Sequence, residues 1–435
     1  MMNEAVQPAD SMSRRHFVQT SALAASSVAF SVTTTRSYAR PKSANDKLGI
    51  GVIGVGGRGN SHLSMLKRII DDGDNIDIVA VCDIYRPRLE RAAQEYHARA
   101  YMDHNELIAD PRVDIVCIAT PDHIHGYQAI DAAYAGKDIY CEKPVTHWRQ
   151  FELTKRLAKA VAESNCVFQL GTQAMSDSAW QQMKKLVQDG LIGQPLFGET
   201  GFFRIGDWGE RDMPIDDANA TVGADLLWEK FLGDAPRLEF NIDRFFRWRL
   251  FEDYAGGPVT DLYPHSLTQV IDILGVGFPD RVVALGGIHR YDYELREVPD
   301  TFNLLAQYPE NVTISVLGTQ ANDYNATTTR GAGQRCPVIR GWDGSLSIID
   351  NKEILFTPLQ VRGAKPPQRF DIKFGEDNIQ HWRNLIQCSR ERNKETWSPM
   401  PLAYKTQTVL HMAMLAYRKK QTAQFDHEKE QIVLS

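Results

Sequence analysis

The sequence predicts an α/β chain: a doubly wound parallel sheet, then an α+β domain whose open sheet is mostly antiparallel. Three observations predict it. The stretch Gly51-Val52-Ile53-Gly54-Val55-Gly56-Gly57-Arg58-Gly59 lies between an apolar run at 48–53 and a helical pattern at 60–70. Short apolar runs then alternate with helical patterns as far as residue 171, as in a parallel sheet covered on both faces. Beyond about residue 190 the strand-like segments become alternating and are separated by long loops, which suits a sheet with one covered face.

In chain order, residues 1–39 read as a removable export signal. Ser13-Arg14-Arg15-His16-Phe17 has the form of a twin-arginine motif, residues 18–32 are mildly apolar, and Ser37-Tyr38-Ala39 offers the small residues a signal peptidase reads. This predicts the twin-arginine machinery as a partner and a periplasmic or otherwise exported location. Residues 40–46 form a polar linker. A dinucleotide domain is expected over 47–172, with strands at 48–53, 76–82, 113–119, 138–141 and 167–171 and helices near 59–71, 86–98, 123–135 and 148–163. A short helix at 104–109 has Asp103 as its N-cap. The second domain, 173–435, should carry strands at 196–204, 282–288, 301–307, 312–317 and 346–350 and helices at 224–232 and 262–274. Helices at 378–390 and 404–420, apolar at three- and four-residue spacing, are expected to pack back.

Composition excludes several classes. The formal net charge is −6, without the basic face a nucleic-acid binder needs. No apolar run is long enough to span a bilayer. The six cysteines form no C-x-x-C pair, so we expect free core thiols and no metal.

The glycine stretch follows a strand and opens a helix, the context that gives G-x-G-x-x-G its physical meaning. Gly54 permits the tight turn, Gly56 lets the backbone approach a pyrophosphate, and Gly59 lets the helix pack against the strand. Gly57 and Arg58 stand at the helix N-terminus, where free N–H groups face phosphate. Asp83, at the end of the second strand, is placed for the adenosine ribose. Arg86 and Arg88 are candidates for a 2′-phosphate, but Asp83 would repel it. The expected cofactor is therefore NAD rather than NADP, and it is expected to be tightly retained. Thr120 and Pro121 leave the third major strand at its carboxyl end, where ligands bind in such sheets. His123 and His125 follow them, each either a ligand contact or merely part of a helix start.

Glu142-Lys143-Pro144 follows the next strand. Together with the glycine loop it resembles the glucose–fructose oxidoreductase and inositol dehydrogenase (Gfo/Idh/MocA) family, over most of residues 47–420. The resemblance implies that Lys143 reaches the substrate beside the nicotinamide and that Pro144 follows a cis bond. Gly257-Pro258-Val259-Thr260-Asp261-Leu262-Tyr263-Pro264-His265 fits the family's G-x-x-x-D-x-x-x-H pattern. By that resemblance His265 is the general base and Asp261 orients it. Glu142, Lys143 and Gln173 border the expected cofactor site. Arg204, Trp208, Arg247 and Trp248 are candidates for a sugar-binding wall. The resemblance further implies a homo-oligomer.

The sequence thus points to an exported NAD-dependent oxidoreductase acting on a sugar, polyol or glycoside hydroxyl. Because free NAD is scarce outside the cytoplasm, an alternative is a glycoside hydrolase or lyase that oxidises and re-reduces its substrate with no net NADH. A carbohydrate-binding scaffold is the third class; the joint presence of Lys143, Asp261 and His265 weighs against it.

Overall fold

The structure is a computed structural model; it describes residues 46–435 except 208, 211, 294, 326, 327 and 331–333. The export signal and Trp208 therefore lie outside the described residues.

The first domain runs Leu48–Ile53 (β1), Gly57–Asp71 (α1), Ile76–Cys82 (β2), Arg86–Tyr96 (α2), Arg99–Tyr101 (β3), His104–Ala109 (α3), Ile115–Ile118 (β4), Asp122–Tyr134 (α4), Asp138–Cys141 (β5), Phe151–Ser164 (α5) and Phe168–Leu170 (β6). The strands pair in parallel in the order β3-β2-β1-β4-β5-β6. The order reverses between β1 and β4, which opens a crevice at the carboxyl ends of those strands. Every residue of β1, β4, β5 and β6 is buried, which explains their short uninterrupted apolar runs. Asp103 caps α3, its carboxylate accepting from the Asn105 N–H at 2.8 Å.

A 3₁₀ turn at Gln173–Ser176 leads into Ser178–Gln188 (α6) and Pro195–Phe203 (β7). Then follow Trp228–Leu232 (α7), Ile242–Phe246 (α8), a 3₁₀ turn at Trp248–Leu250, Pro258–Asp261 (α9) and Tyr263–Leu274 (α10). Eight further strands come next: Arg281–Gly287 (β8), Thr301–Gln307 (β9), Thr313–Thr319 (β10), Thr329–Arg330 (β11), Gln334–Gly341 (β12), Gly344–Ile349 (β13), Glu353–Pro358 (β14) and Gln368–Asp371 (β15). Asn378–Glu391 (α11), Met400–Lys419 (α12) and a hairpin of Ala423–Asp426 (β16) and Gln431–Leu434 (β17) complete the chain. The second sheet runs β15-β14-β13-β12-β7-β10-β9-β8-β16-β17, with β11 on β12. Among the described residues only its β7–β10 pair is parallel. One face is sealed by α6, α10 and α12 in a single core that includes Trp180, Leu267, Val270 and Met412.

Two local expectations fail for physical reasons. The helix expected over 224–232 forms only at 228–232. Before it, the Arg86 N–H donates to the Asp225 carbonyl at 2.8 Å and the Leu227 N–H to the Ile84 carbonyl at 3.0 Å, so the backbone pairs with the first domain instead of coiling. Strands β12 and β14–β17 were not expected at all. The tail helices seat on first-domain residues. Trp382 of α11 stacks on Tyr140 at 4.4 Å, and Met400, Ala403 and Tyr404 of α12 join the core beneath β4–β6.

Candidate active site

The glycine loop is built as its sequence requires. Gly54 has φ of 82°, the left-handed region that favours glycine, and its N–H donates to the Cys82 carbonyl at 2.8 Å. A Cβ on Gly59 would lie 1.7 Å from the Gly54 carbonyl oxygen, so α1 can approach β1 this closely only with glycine there. Gly59→Ala is expected to lower stability by at least about 1–3 kcal/mol through overpacking and to weaken NAD binding, as read by a thermal melt with and without NAD. The Asp83 carboxylate accepts from the Val55 and Tyr85 N–H groups, each at 2.9 Å. It is thereby fixed at the rim of the loop, where a ribose would meet it.

Beneath the loop lies a buried polar chain. Arg58 Nε donates to Glu142 Oε1 at 2.7 Å, and His62 Nε2 meets the same oxygen at 2.8 Å. The Trp382 indole donates to His62 Nδ1 at 3.0 Å. An indole N–H only donates, so His62 is a neutral imidazole with its proton on Nε2, pointed at Glu142. Burial and the Arg58 charge lower its pKa accordingly. Burial pushes the Glu142 carboxyl up, but Arg58, His62 and Lys143 outweigh it and hold it well below the usual range. The C-terminal helix α11 thus helps to fix the carboxylate that precedes Lys143.

The Lys143–Pro144 peptide is cis. Lys143 Nζ donates to the Asp261 carbonyl at 2.6 Å and to Asp261 Oδ1 at 2.7 Å. Asp261 ends α9 and His265 lies in the first turn of α10, with Leu262 joining the helices. Here the structure departs from expectation: Asp261 grips Lys143 rather than orienting His265. Arg249 is the second cation on Asp261, its Nε 3.4 Å from Oδ1. Burial opposes ionisation of Asp261, but Lys143, Arg249 and Arg204 more than offset it. His265 is half-buried, and burial together with the Lys143 charge lowers its pKa to about 3. It is neutral at every physiological pH.

Arg58, Glu142, Lys143, Gln173, Arg204, Arg249, Asp261 and His265 all line one cavity of about 1060 Å³. Gly57 lines it as well, whereas His123, His125, Arg247 and Trp248 do not. His125 is buried, its Nδ1 3.2 Å from the Thr120 hydroxyl, which in turn donates to Gln128 at 2.7 Å. His123 Nε2 donates to the Phe231 carbonyl at 2.6 Å, away from the cavity. Arg247 donates to the Met213 carbonyl and pairs with Asp243. Trp248 belongs to an aromatic core with Phe245, Phe246 and Tyr254. The sequence reading chose Arg247 and Trp248 and missed their neighbour Arg249. The signal it lacked was the short 3₁₀ turn at Trp248–Leu250, which turns Arg249 toward Asp261.

The first domain matches the model of an oxidoreductase family with an NAD-binding Rossmann fold, Gfo/Idh/MocA, over residues 48–172. Inositol 2-dehydrogenase/D-chiro-inositol 3-dehydrogenase of Lacticaseibacillus casei is 31% identical over 327 residues, 73% of this chain and 85% of the relative. The chain belongs to the Gfo/Idh/MocA family. Other curated relatives of the family match less fully. Inositol 2-dehydrogenase of Salmonella typhimurium is 31% identical over 153 residues, 34% of this chain and 43% of the relative, so the chain spans about two fifths of that relative's length. A solved levoglucosan dehydrogenase in complex with NADH and levoglucosan has a TM-score of 0.63 at 18% identity, over 89% of this chain and 99% of the other. It shares the fold.

NAD is the cofactor of this Gfo/Idh/MocA domain, and the residues present fit it. The loop glycines leave a cradle that a Cβ would fill. Arg58 Nη2 and Gln173 Oε1 are buried polar atoms without a protein partner, and both residues border the cavity. Among the described residues there is no cluster able to hold a metal ion, and no helix is long and apolar enough to cross a membrane.

Proposed function

We propose that this protein is an exported NAD-dependent oxidoreductase acting on a hydroxyl of a sugar, polyol or glycoside. The observation that carries this reading is the convergence of Lys143, from the Rossmann half, and His265, from the other half, on the wall of one cavity. An ammonium has three donors. Two of Lys143's are committed to Asp261, which leaves the third for the substrate oxygen. Lys143 then polarises that oxygen and stabilises alkoxide character on it. His265 is neutral and has an unprotonated ring nitrogen that would accept the hydroxyl proton, as a base weakened by the same burial and Lys143 charge. Asp261 fixes the ammonium by accepting two of its protons. NAD, when bound, supplies the hydride acceptor.

Arg204 and Arg249 border the same cavity and would bind substrate hydroxyls. Buried Asp122 has its pKa raised to about 7, first by burial and against the pull of Arg249 and Lys143. It would add a titratable acid behind the pair.

The test is a panel of sugars, polyols and glycosides, followed at the NADH absorbance band with product sugars analysed in parallel. Net NADH formation on a polyol or sugar is the expected result. Free sugar released without NADH would replace this reading with redox-neutral glycoside cleavage. The twin-arginine pair supports export, which a secretion assay with Arg14 and Arg15 changed to lysine would check. Exposed Val283, Leu285 and Leu305 on the open face of the second sheet support self-association through that face, which light scattering would read.

A further inference from the structure

The excursion between β7 and α9 does more than connect them. Its middle portion is seated on the turn that follows β2, the adenosine end of the cofactor site. Tyr85 and Leu226 form an antiparallel bridge. Arg86 Nε pairs with Asp225 at 2.6 Å and Arg88 Nε with Asp216 at 2.5 Å. Tyr85 packs edge-on against Phe245 and Phe246, and the Arg88 guanidinium lies 5.2 Å from the Phe246 ring centre. These two arginines are the cations that a 2′-phosphate on the adenosine ribose would seek.

The two pairs are not equivalent. Arg86 and Asp225 are largely exposed, with side chains 41% and 68% accessible, while those of Arg88 and Asp216 are 18% and 24% accessible. Solvent screening makes the first pair weak. Arg88 also lies across the glycine loop: a Cβ on Gly56 would meet its Nη1 at 2.9 Å. Its guanidinium stands beside the loop, with Asp83 as a further negative neighbour.

We infer that Asp216 is a specificity-determining residue, which selects NAD over NADP by keeping the Arg88 guanidinium engaged. This rests on the cofactor assignment of the Rossmann domain. Asp83 repels a 2′-phosphate directly, and Asp216 removes the cation that would compensate that repulsion. Guanidinium pairs with phosphate as readily as with carboxylate, so an Arg88 without its acid becomes a phosphate ligand.

The experiment uses the full chain freed of cofactor and titrated with NAD⁺ and NADP⁺ by calorimetry. Asp216→Asn is expected to raise NADP⁺ affinity relative to NAD⁺ by about tenfold, the scale of one charge-assisted contact. Asp225→Asn is expected to shift the ratio less than twofold, as suits an exposed pair. Adding Arg88→Ala to Asp216→Asn is expected to abolish that gain, because the released guanidinium is the proposed phosphate ligand. An unchanged ratio in a folded Asp216→Asn protein would overturn the inference. So would a gain in NADP⁺ affinity that persists in the double variant, and Asp216→Ser, read in the same way, decides the matter if Asp216→Asn fails to fold. Failure of the unaltered protein to bind either dinucleotide would instead overturn the cofactor assignment.

Discussion

Lys143→Ala is expected to lower turnover by about 10²–10⁴-fold, the usual range for a positioned proton-transfer or charge-stabilising group, while leaving NAD affinity within a few-fold. The asymmetry follows from geometry. The dinucleotide would be held by the glycine loop, Asp83 and the first turn of α1, and the hydrogen bonds that fix Gly54 and Asp83 do not involve Lys143. The ammonium instead sits across the cavity on Asp261. Removing it does not strand that carboxylate, since Arg249 stays 3.4 Å away, so the variant should fold. Lys143→Arg should not restore activity: a planar fork cannot direct two donors to the carbonyl and Oδ1 of one residue and a third to substrate as an ammonium does. Steady-state turnover on the substrate found in the panel, beside calorimetric NAD titration, separates the two effects. Near-normal turnover in Lys143→Ala would remove the lysine from the chemistry.

How much of this was legible in the sequence depends on how locally each feature is encoded. The first sheet was readable because its strands are buried on both faces and its loop needs glycine for reasons of backbone geometry alone. Gly54 must take positive φ, and Gly59 must carry no Cβ. Strand β12 was not readable. Pro337 lies in its middle and its register with β7 shifts between Arg335 and Val338, so the pattern that marks a strand is broken where a proline removes a ladder donor. Nor could spacing show which acid serves which base. Asp261 and His265 are four residues apart, which invites pairing along one helix. The chain instead changes helix at Leu262, and Asp261 meets a lysine 118 positions away. The same holds for His62 and Trp382, which meet over 320 positions. Contacts of that kind are decided by packing the tail helix onto the first sheet, and no local pattern carries them.

That packing leads to the second large effect, a marked loss of stability on mild acidification. Burial lowers the pKa of His123 and His411 to about 4 and of His125, His265 and His381 to about 3. It also lowers those of His62 and His147. In the unfolded chain each would titrate near its ordinary 6.5. Between the folded and unfolded values the unfolded state binds more protons, so stability rises with pH through that window and falls as pH drops below about 6.5. Each such histidine contributes about 1.4 kcal/mol per pH unit once its unfolded form is protonated. Asp83, Asp122 and Glu210 act in the opposite sense. Burial raises Asp122 and Glu210 to about 7 and lifts Asp83 as well, so each stabilises the fold at low pH and loses that contribution as pH rises through its folded value. Three carboxyls cannot cancel the seven imidazoles, and the net slope keeps its sign. The hydrogen bonds explain why the histidines resist charging in place. His411 Nδ1 donates to the Trp148 carbonyl at 2.7 Å while its Nε2 faces the Thr154 hydroxyl at 2.9 Å, and His62 Nδ1 must accept from an indole that cannot turn its proton away. Urea midpoints should therefore be nearly constant from pH 8 to 7 and fall steeply between pH 6 and 4.5. A flat profile across that lower range would mean that these imidazoles are not held neutral in the fold, and with it would go the neutral His265 on which the proton-accepting role depends.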